Sequence, residues 1–349
     1  MYKIIKVYNN ATVRVGDGRS FLIKSMGKNI DEVYLLDING EIQKQINFLH
    51  NELSWKKFIY REQWFVTYNT KSLLSDTLNV FSIDGDQLAS IKELGGFPTI
   101  FPLGDNKVYL AHNNLVLYDM KSFQFEDFGT HELGNNLICE GVSNELIFMT
   151  KGWRKELIAL RDKNGQGLEE VYRIDFSESD KWNGIFGDKE ELGRVEFLNL
   201  FKDDIWVTTQ QRLHRIKAST GQTIEIRDYT IPKLLIDGHM GYSLNPTRYR
   251  IMDMELGKIL MDRKVDKFSA NGEEFSCQYR SYLFYEGYIY ASIRLSCGLF
   301  GIVVFDTRSE VVVWHDIWSS DSPIRSIHLI DDRLIADSFD EVRIYARCD

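Results

Sequence analysis

The chain has 349 residues, of which 44% are hydrophobic, 27% charged and 13% aromatic. That is enough apolar content to bury a sizeable core, and it excludes a disordered or low-complexity chain. The length allows two domains or one large all-β domain. With 42 basic and 51 acidic side chains the net charge is −9, which argues against a nucleic-acid backbone as partner and leaves basic partners open.

The opening segment MYKIIKVYNN lacks a continuous apolar run and a small-residue cleavage site, so no signal peptide is predicted. No window approaches 18 apolar residues, and a cytoplasmic protein without a membrane span is expected. Cys139, Cys277, Cys297 and Cys348 form no CxxC spacing, which predicts free thiols rather than a disulfide framework. None of the seven histidines is spaced as a metal site on one element requires.

Taken in order, the chain repeats one pattern: an apolar strand, a polar turn, and a second strand leading away. It reads VYLLDINGEIQKQI from Val33, LNVFSIDGDQLASI from Leu78 and LVLYDMKSFQFEDF from Leu115. Then come LIALRDKNGQGLEEVYRI from Leu157, LHRIKASTGQTIEI from Leu213, YRIMDMELGKILMD from Tyr249 and IVVFDTRSEVVVWHDI from Ile302. Asn-Gly, Asp-Gly and Thr-Gly supply the positive-φ turn position that β-branched residues resist. Most of these hairpins follow a further strand, such as QWFVTY from Gln63 or DIWVTT from Asp204, and another lies before each of those.

The assigned turn residues Asp37, Asp84, Asp119, Asp162, Lys217, Asp253 and Asp306 lie 35 to 55 residues apart. Four-stranded units of this period, with no long helix between them, predict an all-β fold: a single β-propeller over residues 1–349. The tail after Pro323 offers only three strands, IRSIHLI, RLIADS and EVRIYA, so the N-terminal YKIIKVY is expected to close the ring by completing the last blade. The count is then eight blades, or seven if residues 231–262 are not a blade.

The turns also carry a family resemblance. FDTRSEVVVW, from Phe305, resembles the PQQ-like repeat, with Asp306 at its Asp position, Ser309 for Thr, Glu310 for Gly and Trp314 at its Trp position. Thr220-Gly221 and Leu256-Gly257 resemble its turn, with Glu225 and Met261 where Trp would stand. The resemblance implies fold. Quinoprotein dehydrogenases of that type carry an adjacent Cys-Cys pair, and no such pair occurs here, so no cofactor is expected.

Candidate site residues are few. Asp162-Lys-Asn164-Gly-Gln166-Gly167 resembles the start of a calcium loop, but Arg173 stands where a bidentate Glu is needed, so a plain hairpin is predicted. The acidic doublets Glu190-Glu191, Glu273-Glu274 and Asp331-Asp332 read as solvated loops and turns. The longest insertion, SESDKWNGIFGDKEELG from Ser177, sets Glu178, Asp180, Asp188, Glu190 and Glu191 around Trp182 and Phe186. Aromatic anchors in a charged rim suit a partner-binding patch. Trp153-Arg154 at a hairpin tip suits one as well, and the segment holding Glu273 and Glu274 is a weaker case. Trp206, Phe284 and Tyr290 lie in alternating strands and read as core.

No catalytic motif occurs in its required context. The expectation is a non-catalytic, monomeric propeller that engages a basic protein through rim loops. In character it is similar to bacterial immunity proteins that neutralise a toxin. The alternative is an enzyme or small-ligand binder using the central channel.

Overall fold

The structure is a computed structural model. It describes residues 1–349 apart from 26–30, 49–53, 70–75, 93–98, 104–105, 112–114, 128–137, 144, 163–167, 178, 180–192, 245–247, 265–267, 271–272, 320–321 and 349. Among the described residues there is no helix, and hence none that could cross a membrane. Eight antiparallel sheets follow one another, seven of them built from strands adjacent in sequence. They are the blades of an eight-bladed β-propeller. They span residues 11–46, 54–91, 99–127, 138–175, 197–227, 235–264 and 268–317, with the eighth at 326–347.

The eighth blade is completed as the sequence predicts. Its own strands are Ser326–Ile330, Arg333–Asp337 and Glu341–Arg347, and Tyr2–Asn9 adds antiparallel to the last of them. The stretch in doubt forms its own sheet, from Leu235–Asp237 to Lys258–Lys264, so the blades number eight. The seventh blade departs from the expected four strands: Phe268–Ala270 folds onto the 13-residue strand Glu273–Tyr285 as a fifth. Glu273 and Glu274 therefore open a strand, where the sequence suggested a polar loop.

By contacts the chain forms two compact units, residues 1–66, 80–87 and 235–349, and residues 67–79 and 88–234. Within the second, the fourth blade shows why the strands are apolar runs rather than alternations. Leu146–Lys151 alternates between two buried faces: Ile147 and Met149 pack with Tyr109, Leu115 and Leu117 of the third blade, while Leu146 and Phe148 pack with Ile205, Val207 and Ile216 of the fifth. Period-2 geometry sends neighbours to opposite faces, and here both faces are core. The fourth strands are wetter, as in Thr223–Arg227, where Ile224 and Ile226 are half exposed. In the first unit the same logic joins the eighth and first blades through Ile335, Val342 and Ile344 against Ala11, Val13 and Leu22.

The turn acids do local work. Asp37 Oδ1 accepts the amides of Asn39 and Glu41 at 2.8 Å, and Asp119, Asp253 and Asp306 accept equivalent amides at 2.9 Å. These bonds hold the Asp119 and Asp306 carboxyls below the usual range. Two of the turns are held differently. In the second blade Ser82, not Asp84, caps the turn, accepting the Asp86 amide at 3.1 Å, while Asp84 pairs with Lys44. In the fifth, where Lys217 replaces Asp, Asp203 reaches over from the preceding turn to take the Ser219 amide at 3.0 Å and pair with Lys217.

Candidate protein-docking surface

The strands Leu146–Lys151 and Glu156–Asp162 of the fourth blade meet in the turn Gly152-Trp153-Arg154, and all three residues are left-handed (φ 61°, 60° and 68°). For a bulky side chain that conformation is a genuine outlier. The turn places Trp153 84% exposed. Arg154 turns the other way. Its Nη2 donates to both oxygens of Glu140 at 2.7 Å and its Nε to one of them at 3.0 Å, while the buried Thr150 hydroxyl donates to the same carboxylate at 2.7 Å. Glu140 sits where the Ile138–Ser143 strand slips register between Cys139 and Gly141. A bulge re-aims a side chain, and this one aims a carboxylate at the tip.

The same tip holds both ends of the long insertion. Arg154 O accepts the Val195 amide and Lys155 O the Phe176 amide, each at 2.8 Å. Phe176 is buried, and its carbonyl lies so close to Gly193 that a Cβ there would sit 1.5 Å away. Only glycine permits that approach. Ser179 N donates to the same carbonyl at 2.8 Å, and Arg212 donates to Ser179 O at 2.9 Å. Asp175 accepts both the amide and the hydroxyl of Ser177, which lowers its carboxyl below the usual range.

The structure thus brings Trp153-Arg154 together with Ser177 and Gly193. Glu178, Asp180, Trp182, Phe186, Asp188, Glu190 and Glu191 lie outside the described residues, as do residues 163–167 of the calcium-like turn. Glu273 and Glu274 belong to the other compact unit. The sequence did not reveal Glu140: nothing in ICEGVS marks a bulge, and its guanidinium partner is fourteen residues away. Of the aromatics read as core, Trp206 and Tyr290 are buried.

Titratable groups also gather around the first strand of the first blade and the first two strands of the eighth, in the first unit. Asp337, fully buried, accepts from Arg325 Nη2 at 2.9 Å, from Val13 N at 3.3 Å and from the Ser326 hydroxyl. His328 meets Ser326 Oγ at 3.0 Å. Arg14 donates to Lys57 O at 2.9 Å and Val13 O at 2.7 Å. Burial lowers the pKa of Arg14, and Arg325 adds to this; burial, with Arg14 nearby, also lowers that of His328. With three donors on it, Asp337 works as a staple between blades. Cys139 is buried and Cys297 and Cys348 exposed, all three free.

No family model and no curated protein sequence matches the chain. Solved structures do. A computationally designed protein, Ika8, superposes with a TM-score of 0.65 at 10% identity, over 99% of this chain and 98% of its own. BamB from Moraxella catarrhalis gives 0.59 at 10% identity, over 99% and 100%. The Dos1 propeller gives 0.57 at 11%, over 99% and 95%. At such identities the likeness shows the β-propeller fold alone.

Proposed function

We propose that the chain is a non-catalytic, single-domain protein-binding propeller that captures a basic protein partner through Trp153 and the acidic insertion of residues 177–193. The observation that carries this reading is Trp153 itself. A large indole stands in a strained turn, almost wholly in water, beside an arginine whose guanidinium is paired with Glu140 and whose carbonyl accepts the Val195 amide at the root of an acidic loop. Strain of this kind persists where surrounding structure enforces it, often at binding sites, and tryptophan is among the residues enriched at interface hot spots. Acids at Glu178, Asp180, Asp188, Glu190 and Glu191 supply the charge that steers a basic partner. The finer reading is neutralisation of a bacterial toxin by a monomeric cytoplasmic immunity protein; the acidic charge and loop composition support it.

The test compares the wild type with a variant carrying Glu178, Asp180, Glu190 and Glu191 changed to Lys, and with Trp153→Ala, as baits in lysate of the native host. A basic protein retained by the wild type and lost from both variants is expected. Its association rate should fall steeply with salt for the wild type and not for the charge-reversed chain. Identical retention by all three baits would overturn the reading.

A further inference from the structure

The first unit carries a concave feature far from these residues in sequence. A cleft of about 330 Å³ opens between three turns, residues 16–19 and 36–42 of the first blade and 330–333 of the eighth. That volume lies at the small end of the range for ligand pockets, about 300–1,000 Å³. Its floor is aliphatic: Leu36, Ile335 and Ile344 are at most 4% exposed, with Ile38 and Ile330 above them.

The lip is where the chemistry lies. Arg333 stretches from the eighth blade to donate its Nε to Ile38 O of the first at 3.0 Å. This bond fixes the guanidinium plane over the cleft, and the described residues offer its two Nη groups neither an acceptor nor an ion pair. Arg19 also lines the cleft, with an exposed 3.4 Å pairing to Glu62, and the buried Ser20 adds a hydroxyl. Two carboxylates also line the cleft. Asp37 commits Oδ1 to the Asn39 and Glu41 amides, and Asp331 stands exposed on its turn. The cleft thus joins a buried hydrocarbon floor to a fork of donors, the geometry that accepts a carboxylate bidentately.

We propose that this cleft binds a small aliphatic carboxylate, its hydrocarbon on the Leu36–Ile335–Ile344 floor and its carboxylate against Arg333. Two sources share that chemistry, a free branched-chain acid and the C-terminus of a peptide ending in an aliphatic residue. Titration calorimetry of the full chain with 4-methylpentanoate, with its amide and with N-acetylglycylleucine separates them. At least one acid should bind, and the tighter of the two names the source. The amide, which cannot accept the fork, should bind about 10- to 100-fold more weakly, and Arg333→Met should cost the acid a similar factor. Arg333→Lys, which keeps the charge but loses the fork, should also weaken binding and covers the case in which the Met variant fails to fold. The proposal is overturned if neither acid binds at millimolar concentration, if amide and acid bind equally, or if Arg333→Lys binds like the wild type.

Discussion

Two arginine–carboxylate pairs in this molecule use the same chemistry for opposite ends. Asp337 in the eighth blade is 1% exposed at its side chain and takes Arg325, Ser326 and the backbone amide of Val13, so the pair ties one blade to the next from within. Glu140 in the fourth blade is 10% exposed and takes Arg154 and Thr150, so the pair fixes a surface tip. The Arg325 guanidinium lies 4.6 Å from the Phe339 ring; Arg154 leaves the neighbouring Trp153 bare. What separates the two is whether the ordered group faces core or water. The first pair holds the fold together, and the second keeps an anchor in place.

Removing each carboxylate is the most forceful way to break that contrast. Asp337→Ala leaves Arg325 uncompensated and the Val13 amide unpaired in the interior, and should cost about 3–5 kcal/mol in urea unfolding. Glu140→Ala should cost less, about 1–3 kcal/mol, because Arg154 can turn to solvent while the buried Thr150 hydroxyl loses its acceptor. Its larger effect should be local, with faster amide exchange at Val195 and Phe176, whose acceptors are the Arg154 and Lys155 carbonyls. Equal global losses would show that both pairs belong to the core.

The contrast also marks what could be read from sequence. Turn acids act within two to four residues of themselves, so the blade hairpins at Asp37, Asp119, Asp253 and Asp306 were legible from their spacing. Even the residue standing for glycine obeys the turn: Glu310 has φ 58°. Trp314, at the repeat's Trp position, donates Nε1 to Tyr2 O at 2.9 Å, so it supports the closing strand. The Asp203 substitution for a missing turn acid was hidden, since its carboxylate comes from another hairpin. The Asp337 staple was hidden for a stronger reason: Val13 and Asp337 lie at opposite ends of the chain, and only closure of the last blade by Tyr2–Asn9 makes them neighbours. Trp153 and Arg154 were legible as a tip because both residue types are visible in KGWRKE, but the bulge that aims Glu140 at them leaves no pattern.

Trp153→Gly sharpens the contrast at a smaller scale. A left-handed residue with a side chain costs roughly 1–2 kcal/mol, and glycine returns part of that in lost backbone freedom. The variant should therefore be more stable by about 0.5–1 kcal/mol while retaining less partner in the capture assay. A tip kept for stability would lose stability on the same change.

The smallest effect is a test of the staple's surroundings by pH. Burial, with Arg14 nearby, lowers the His328 pKa in the folded state, against the opposing pull of Asp337. Arg325 and Ser326 bind that same Asp337, and Ser326 also meets the imidazole. The unfolded chain takes up its proton first as pH falls through its ordinary value near 6.5. Stability from the neutral imidazole is therefore complete above pH 6.5 and declines below it until the folded state also protonates. His328→Gln removes this decline and leaves the carboxylates unchanged. The urea-midpoint difference between wild type and His328→Gln should thus move against the wild type between pH 7.5 and pH 5. A difference independent of pH would mean that the imidazole titrates as if in water, and that the Asp337 end of the blade junction is open to solvent.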